Sequence, residues 1–141
     1  LLWLSGRDGL ARVGLLDYQD ALAGHPAYDL VSLLEDARRD TTPALREAMI
    51  GEYLSLTGTE PHAFGQAYAA LGAQRNLKIL GIFARLWLRD GKPQYLDLMP
   101  RVWDHLKRDL AHPALSALST WVSECVPPPD AATRAALRAA R

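Results

Sequence analysis

Three aspartates, Asp17, Asp20 and Asp29, stand close together in the stretch V-G-L-L-D-Y-Q-D-A-L-A-G-H-P-A-Y-D that runs from Val13 to Asp29. Carboxylates gathered at one corner repel one another unless a cation, a proton or backbone donors compensate them, and a hard divalent cation is the most productive of those options. Leu15 and Leu16 close an apolar run that reads as a strand, so Asp17 is expected where a strand end presents its carboxylate to a cleft. The plainer reading is that an Asp after a strand is a turn former or a helix cap. For Asp29 that plainer reading is the better one. It falls in the first turn of a helix opened by Gly24-His25-Pro26, where unsatisfied amides and the helix dipole favour a carboxylate.

A second polar group interrupts a later helix. Arg75 lies seven residues after Tyr68 and four before Ile79, which puts a guanidinium on an apolar stripe beside Gln74 and Asn76. A buried Arg usually pairs with a carboxylate, here Asp29 or Asp20 brought near by folding. The functional alternative is that Gln74, Arg75 and Asn76 face a substrate cleft. Arg85 and Arg89 read as exposed or rim residues, and Arg89 is within reach of a substrate carboxylate. His105 and His112 have no metal-binding partners at suitable spacing.

Several elements must position these groups. Leu1 to Leu4 and Ala11 to Leu16 read as two strands joined by the turn-rich Ser5-Gly6-Arg7-Asp8-Gly9, a hairpin over residues 1–17 that leads to Asp17. A helical core over 26–126 follows. Its first helix is expected from Pro26 to Arg38, with Leu30, Val31, Leu33, Leu34 and Ala37 inward and Glu35, Asp36, Arg38 and Arg39 wet. Thr42 and Pro43 open a second helix with Leu45, Met49, Tyr53 and Leu56 on one stripe, and Gly58 ends it. A long helix then runs to about Arg89, with close packing or a break expected near Gly72. Pro100 raises a break or later start in the helix that follows Gln94. Leu115, Leu118, Trp121, Val122 and Cys125 form a further face, with Trp121 expected in the core. Residues 127–141 form a peripheral Ala- and Arg-rich tail.

A chain of 141 residues can bury one core without staples, and 49% hydrophobic with 23% charged residues is a globular composition. Sixteen basic residues balance sixteen acidic ones, so no global field attracts nucleic acid or an anionic membrane. The single Cys125 cannot form an internal disulfide, which fits a reducing cytoplasm. The apolar runs are far shorter than a membrane span.

The string L-L-D-Y-Q-D-A followed by G-H-P-A-Y-D-L-V-S-L-L resembles the metal-binding segment of the aminoglycoside phosphotransferase-like kinases. The stretch N-L-K-I-L-G-I-F-A-R-L-W-L-R-D-G-K-P-Q-Y-L is similar to one branch, the anomeric kinases of N-acetylmuramate and N-acetylglucosamine in cell-wall recycling. The resemblance implies a mainly α fold: the helical C-lobe of a protein-kinase-like domain with a short leading β-hairpin. It implies ATP and Mg2+ as cofactors, with Asp17 as the magnesium ligand; Asp20, beside the metal or the substrate, and Arg75 and Asn76, from their place on the stripe of the long helix, are the candidate substrate contacts. Asp29 would brace the catalytic segment. The family's catalytic loop, H-x-D-x-x-x-x-N, would lie upstream of Leu1, so the chain is expected to be the C-terminal portion of a kinase that is a cytoplasmic monomer when intact and to be inactive alone. Two other functions stay open at this point: a phosphotransferase acting on an aminoglycoside, choline or another small alcohol, and a non-catalytic helical interaction module.

Overall fold

The Thr42-Pro43 pair starts a helix for the reason its chemistry suggests. The Thr42 hydroxyl accepts the Leu45 amide at 3.2 Å, and Pro43 occupies the first helical position, where no amide hydrogen is required. This computed structural model describes residues 1–16, 19 and 21–140; Asp17, Tyr18, Asp20 and Arg141 lie outside the described residues. Among the described residues six α-helices follow a small hairpin: α1 (Ala27–Leu34), α2 (Pro43–Thr57), α3 (Pro61–Asp90), α4 (Gln94–Leu110), α5 (Ser116–Cys125) and α6 (Ala131–Ala139). The mainly helical architecture with a leading hairpin matches the expectation.

The hairpin is shorter than its sequence suggests. Strands β1 (Leu2–Trp3) and β2 (Val13–Gly14) pair antiparallel with Leu2 opposite Gly14 and Trp3 opposite Val13. Ala11 and Arg12 belong to a 3-10 turn over Gly9–Arg12 instead of the strand, and the Arg12 guanidinium lies over the Trp3 ring at 5.7 Å.

Helix α3 spans thirty residues without a break. Glu60 caps its start by accepting the amides of His62 and Ala63, both at 2.7 Å, and those bonds, Ala63 first, hold the Glu60 carboxyl below its ordinary range. Gly91 ends it in the left-handed region at φ +66°, as Gly58 ends α2 at φ +63°. Gly72 causes no break; it is a point of close approach. Helix α4 also runs on through Pro100, contrary to the expected interruption. The proline costs about 3 kcal/mol through its lost bond and ring clash. Leu96, Met99, Val102, Leu106 and Leu110 all bury on that helix, at about 1.5–3 kcal/mol each, so packing against α3 outweighs the defect.

Two apolar clusters make the core. The larger joins α3, α4 and α5 through Ala73, Leu80, Phe83, Leu96, Met99, Val102, Leu106 and Val122; the smaller joins α1 to the start of α3 through Ala27, Val31, Phe64 and Tyr68. Tyr53 of α2 stacks on Phe64 with ring centroids 5.2 Å apart. The tail helix α6 is docked by Trp87, whose indole donates to the Leu137 carbonyl at 2.6 Å, and by Arg138, 2.7 Å from Asp97.

Four expectations are corrected. Glu35 is not on the wet side but 1% exposed, because α1 ends at Leu34 and the chain turns inward there. Helix α1 therefore stops short of Arg38. The stripe of α2 faces outward at Leu45, Met49 and Leu56, and none of that helix is fully buried. Trp121 is 52% exposed: α5 buries only Val122, and the residue before it is turned about 100° away round the helix.

Candidate functional site

Helix α1 is where the candidate chemistry gathers. Its start is fixed by His25, which accepts the Ala27 amide on Nδ1 at 3.2 Å and the Tyr28 amide on its carbonyl at 3.0 Å. Ala27, Val31 and Leu34 bury against the core, which leaves Tyr28, Asp29 and Ser32 on the opposite side, with Asp36 just past the helix end. That side lines a cleft of about 960 Å³ whose facing wall includes Leu1, Leu15, Leu16 and Leu22. Asp29 is exposed in the first turn of α1 and lines this cleft.

Asp17 and Asp20 lie outside the described residues, but their sequence neighbours Leu16 and Ala21 both line the same cleft. Among the described residues no three of His, Cys, Asp or Glu gather into a metal-holding group. The donor chemistry nevertheless fits magnesium, which takes one or two protein carboxylates and completes its shell with water and substrate phosphate oxygens. Two described carboxylates, Asp29 and Asp36, line the cleft.

The residues flagged on α3 divide. Asn76 is fully buried, and its side-chain amide donates both to Glu35 Oε2 at 2.8 Å and to Asp109 Oδ2 at 2.9 Å. It sits inside the core, away from the cleft-lining residues. Arg75 is half-buried and donates to the Glu35 backbone carbonyl at 3.3 Å, satisfying an acceptor at the end of α1 that has no intrahelical partner. Arg85 and Arg89 are exposed, and Arg89 engages Asp90 through both Nε at 2.6 Å and Nη2 at 3.0 Å. Replacing Arg75 with Leu is expected to lower stability by about 1–2 kcal/mol, the scale of one partly exposed charged hydrogen bond. Substrate KM in the full-length protein should stay within about twofold. An unchanged melting temperature with KM raised tenfold or more would put the guanidinium at the substrate instead.

Sequence reading missed the two carboxylates that Asn76 bridges. Glu35 continues the i, i+4 series Ala27–Val31, and Asp109 lies three residues after Leu106 on the buried face of α4. A charge on an apolar stripe is the same signal that marked Arg75, and it was present at both positions. Burial, then the charge of Glu35, raises the Asp109 carboxyl to about 8, against a lowering contribution from Asn76. Burial and the same two carboxylates also raise the Tyr68 phenol. One turn earlier on the buried face of α4, burial and the guanidinium of Arg108 lower His105 to about 4, so its imidazole is neutral at pH 7.

Comparison with known proteins places the chain in a family. The model of the phosphotransferase enzyme family matches residues 1–71, which include the hairpin, the Asp17–Asp29 stretch, α1 and α2. An N-acetylmuramate/N-acetylglucosamine kinase of Caulobacter vibrioides is 50% identical over 128 residues, covering 90% of this chain and 35% of that protein. Proteins of the same description from Pseudomonas putida and Neisseria meningitidis are 37% and 41% identical over 119 and 104 residues, or 79% and 69% of this chain and 35% and 31% of theirs. The chain thus spans about a third of the length of the curated relatives it matches. With the family model covering half of it, and with carboxylates lining the cleft beside α1, the chain belongs to the phosphotransferase enzyme family.

Proposed function

We propose that this chain serves as the helical lobe of an ATP-dependent sugar kinase that phosphorylates N-acetylmuramate or N-acetylglucosamine at the anomeric hydroxyl, in recycling of cell-wall sugars in the cytoplasm. The observation that carries the reading is the 50% identity over 128 residues to a kinase of that description, centred on a chain whose α1 cleft is lined by Asp29 and by neighbours of Asp17 and Asp20. In the reaction the anomeric oxygen bonds to the γ-phosphorus, the bond to the β,γ-bridging oxygen breaks, ADP leaves, and the hydroxyl proton passes to a base. Such transfer asks the protein for positioning and charge neutralisation more than for covalent chemistry.

Asp17 is the proposed magnesium ligand, and Asp20 a proposed contact to the metal's waters or to the sugar. Magnesium, when bound, neutralises charge on the β- and γ-phosphate oxygens. Asp29, set at the start of α1, is the proposed brace for the segment carrying Asp17. Leu15, Leu16 and Leu22 add apolar surface to the lining of the cleft.

The test is phosphoryl transfer by the full-length protein with ATP and magnesium, followed by phosphorus NMR of the product. A sugar 1-phosphate from either amino sugar is the expected result. Transfer to an aminoglycoside or choline, with none to the sugars, would reassign the substrate. Absence of ATP turnover with all of them would favour a helical interaction module.

A further inference from the structure

We propose that Glu35 and Asp109 share one proton beneath the bridging amide of Asn76, and that this buried pair clamps the end of α1, and with it the cleft-lining face bearing Asp29, onto α3 and α4. Its bearing on the reaction rests on the cleft being the reaction site; the clamp itself does not.

The geometry leaves little alternative for the charge. Glu35 and Asp109 are 1% and 4% exposed, and both accept from the same Nδ2 of Asn76, itself fully buried. Among the described residues no Lys or Arg forms an ion pair with either carboxylate; Arg75 spends its contact on the Glu35 carbonyl. Two anions compensated by one neutral amide in a dry site repel strongly, and a proton held between them removes that repulsion with the smallest rearrangement. Three further atoms at the site, Glu35 Oε1, Asn76 Oδ1 and the Tyr68 hydroxyl, are buried without a well-formed hydrogen bond. The Tyr68 hydroxyl is itself a donor and faces Glu35, but the two carboxylates and Asn76 Oδ1 still outnumber it, and an added proton supplies a further donor.

The groups that face the pair come from four elements. Glu35 stands at the end of α1, Arg46 of α2 acts on Tyr68, Tyr68 and Arg75 come from α3, and His105 and Arg108 share α4 with Asp109. Arg108 is the cation that favours ionised Asp109, but burial and Glu35 act more strongly in the other direction, and Arg108 Nη2 is engaged at 3.1 Å by His105 Nδ1.

The folded chain consequently binds a proton that the unfolded chain, with an ordinary Asp near 3.8, has released by neutral pH. That stabilisation is complete below the ordinary carboxylate range and is lost as pH rises to about 8. Denaturant unfolding of the full chain from pH 6 to 9 is the experiment. Measured against Asp109→Asn, which keeps the opposing contribution of His105 below pH 7, the wild-type unfolding constant should rise by close to tenfold per pH unit from pH 6 to 7, by less as pH nears 8, and then level off. Asp109→Asn and Glu35→Gln each replace an acid by an amide that can donate to the remaining carboxylate, so each should fold at pH 7 and lose this slope. Hydrogen exchange, corrected for intrinsic rates, should show the amides of Val31 to Glu35 opening first in wild type above pH 8 and staying protected in Asp109→Asn. A flat wild-type profile, an unchanged slope in both variants, or failure of both to fold would overturn the shared proton. So would stabilisation at pH 9 by sodium or potassium over choline chloride, which would make a metal cation the occupant.

Discussion

Replacing Asp17 with Ala in the full-length protein is expected to lower phosphoryl transfer by on the order of a hundredfold to a thousandfold, the scale of removing one group aimed at transition-state charge. A metal that relies on one or two protein carboxylates loses much of its hold on the lobe when one goes, and the triphosphate then has no fixed partner on this side. Stability should change little, because α1 is held by the burial of Ala27, Val31 and Leu34. The loss should appear in kcat with saturating ATP and magnesium, and the magnesium concentration needed for half-maximal turnover should rise. Asp20→Ala should be milder, within about tenfold, as expected of a group acting through the metal's waters. Turnover within a few-fold of wild type in Asp17→Ala would remove this residue from the metal site.

The long helices were legible because their boundaries are chemical. Thr42-Pro43, Glu60-Pro61, Gly58 and Gly91 all act locally, through a cap, a preset φ or a left-handed turn, and local rules survive without knowledge of the tertiary fold. Asp29 was legible by type and spacing, and it lines the cleft beside α1, whereas Asp17 and Asp20 lie outside the described residues. The facing of side chains was less accessible. A stripe of Leu45, Met49 and Leu56 says that a surface is apolar without saying what covers it, and in this structure those three remain exposed. Trp121 misleads in the same way. The buried carboxylates stood on apolar stripes, but their partner did not show: Glu35 and Asp109 are tolerated inside only as a pair with Asn76, and a pairing between residues 35, 76 and 109 is a tertiary fact. Reading α3 by its apolar members put Arg75 on the inner stripe. The inner line is instead Phe64, Tyr68, Gly72, Asn76 and Leu80, each four residues from the last, with a glycine and an amide among its members.

Gly72→Ala tests that inner line directly, and its sign is set by two opposing magnitudes. In a helix interior Ala is favoured over Gly by about 1 kcal/mol. At Gly65 and Gly81, where an added Cβ meets nothing within 4 Å, that gain should be realised, and Gly81→Ala is expected to raise the melting temperature by about 2–4 °C for a chain of this size. At Gly72 the same Cβ would lie 2.6 Å from Asp109 Oδ2 and 2.7 Å from its Cγ. Asp109 cannot swing aside freely, because its carboxyl is buried and held by Asn76 at 2.9 Å; moving it strands a buried donor or acceptor at about 1–3 kcal/mol, with about 1–3 kcal/mol more for overpacking. The cost exceeds the propensity gain, so Gly72→Ala should be destabilised by about 1–5 kcal/mol while Gly81→Ala is stabilised. Adding Asp109→Ala to Gly72→Ala makes room for the methyl, so the double variant should lose less than the sum of the two single losses. Equal stabilisation of Gly72→Ala and Gly81→Ala by thermal unfolding would show that Asp109 does not press on α3 at this point, and the packing of α4 on α3 would have to be redrawn.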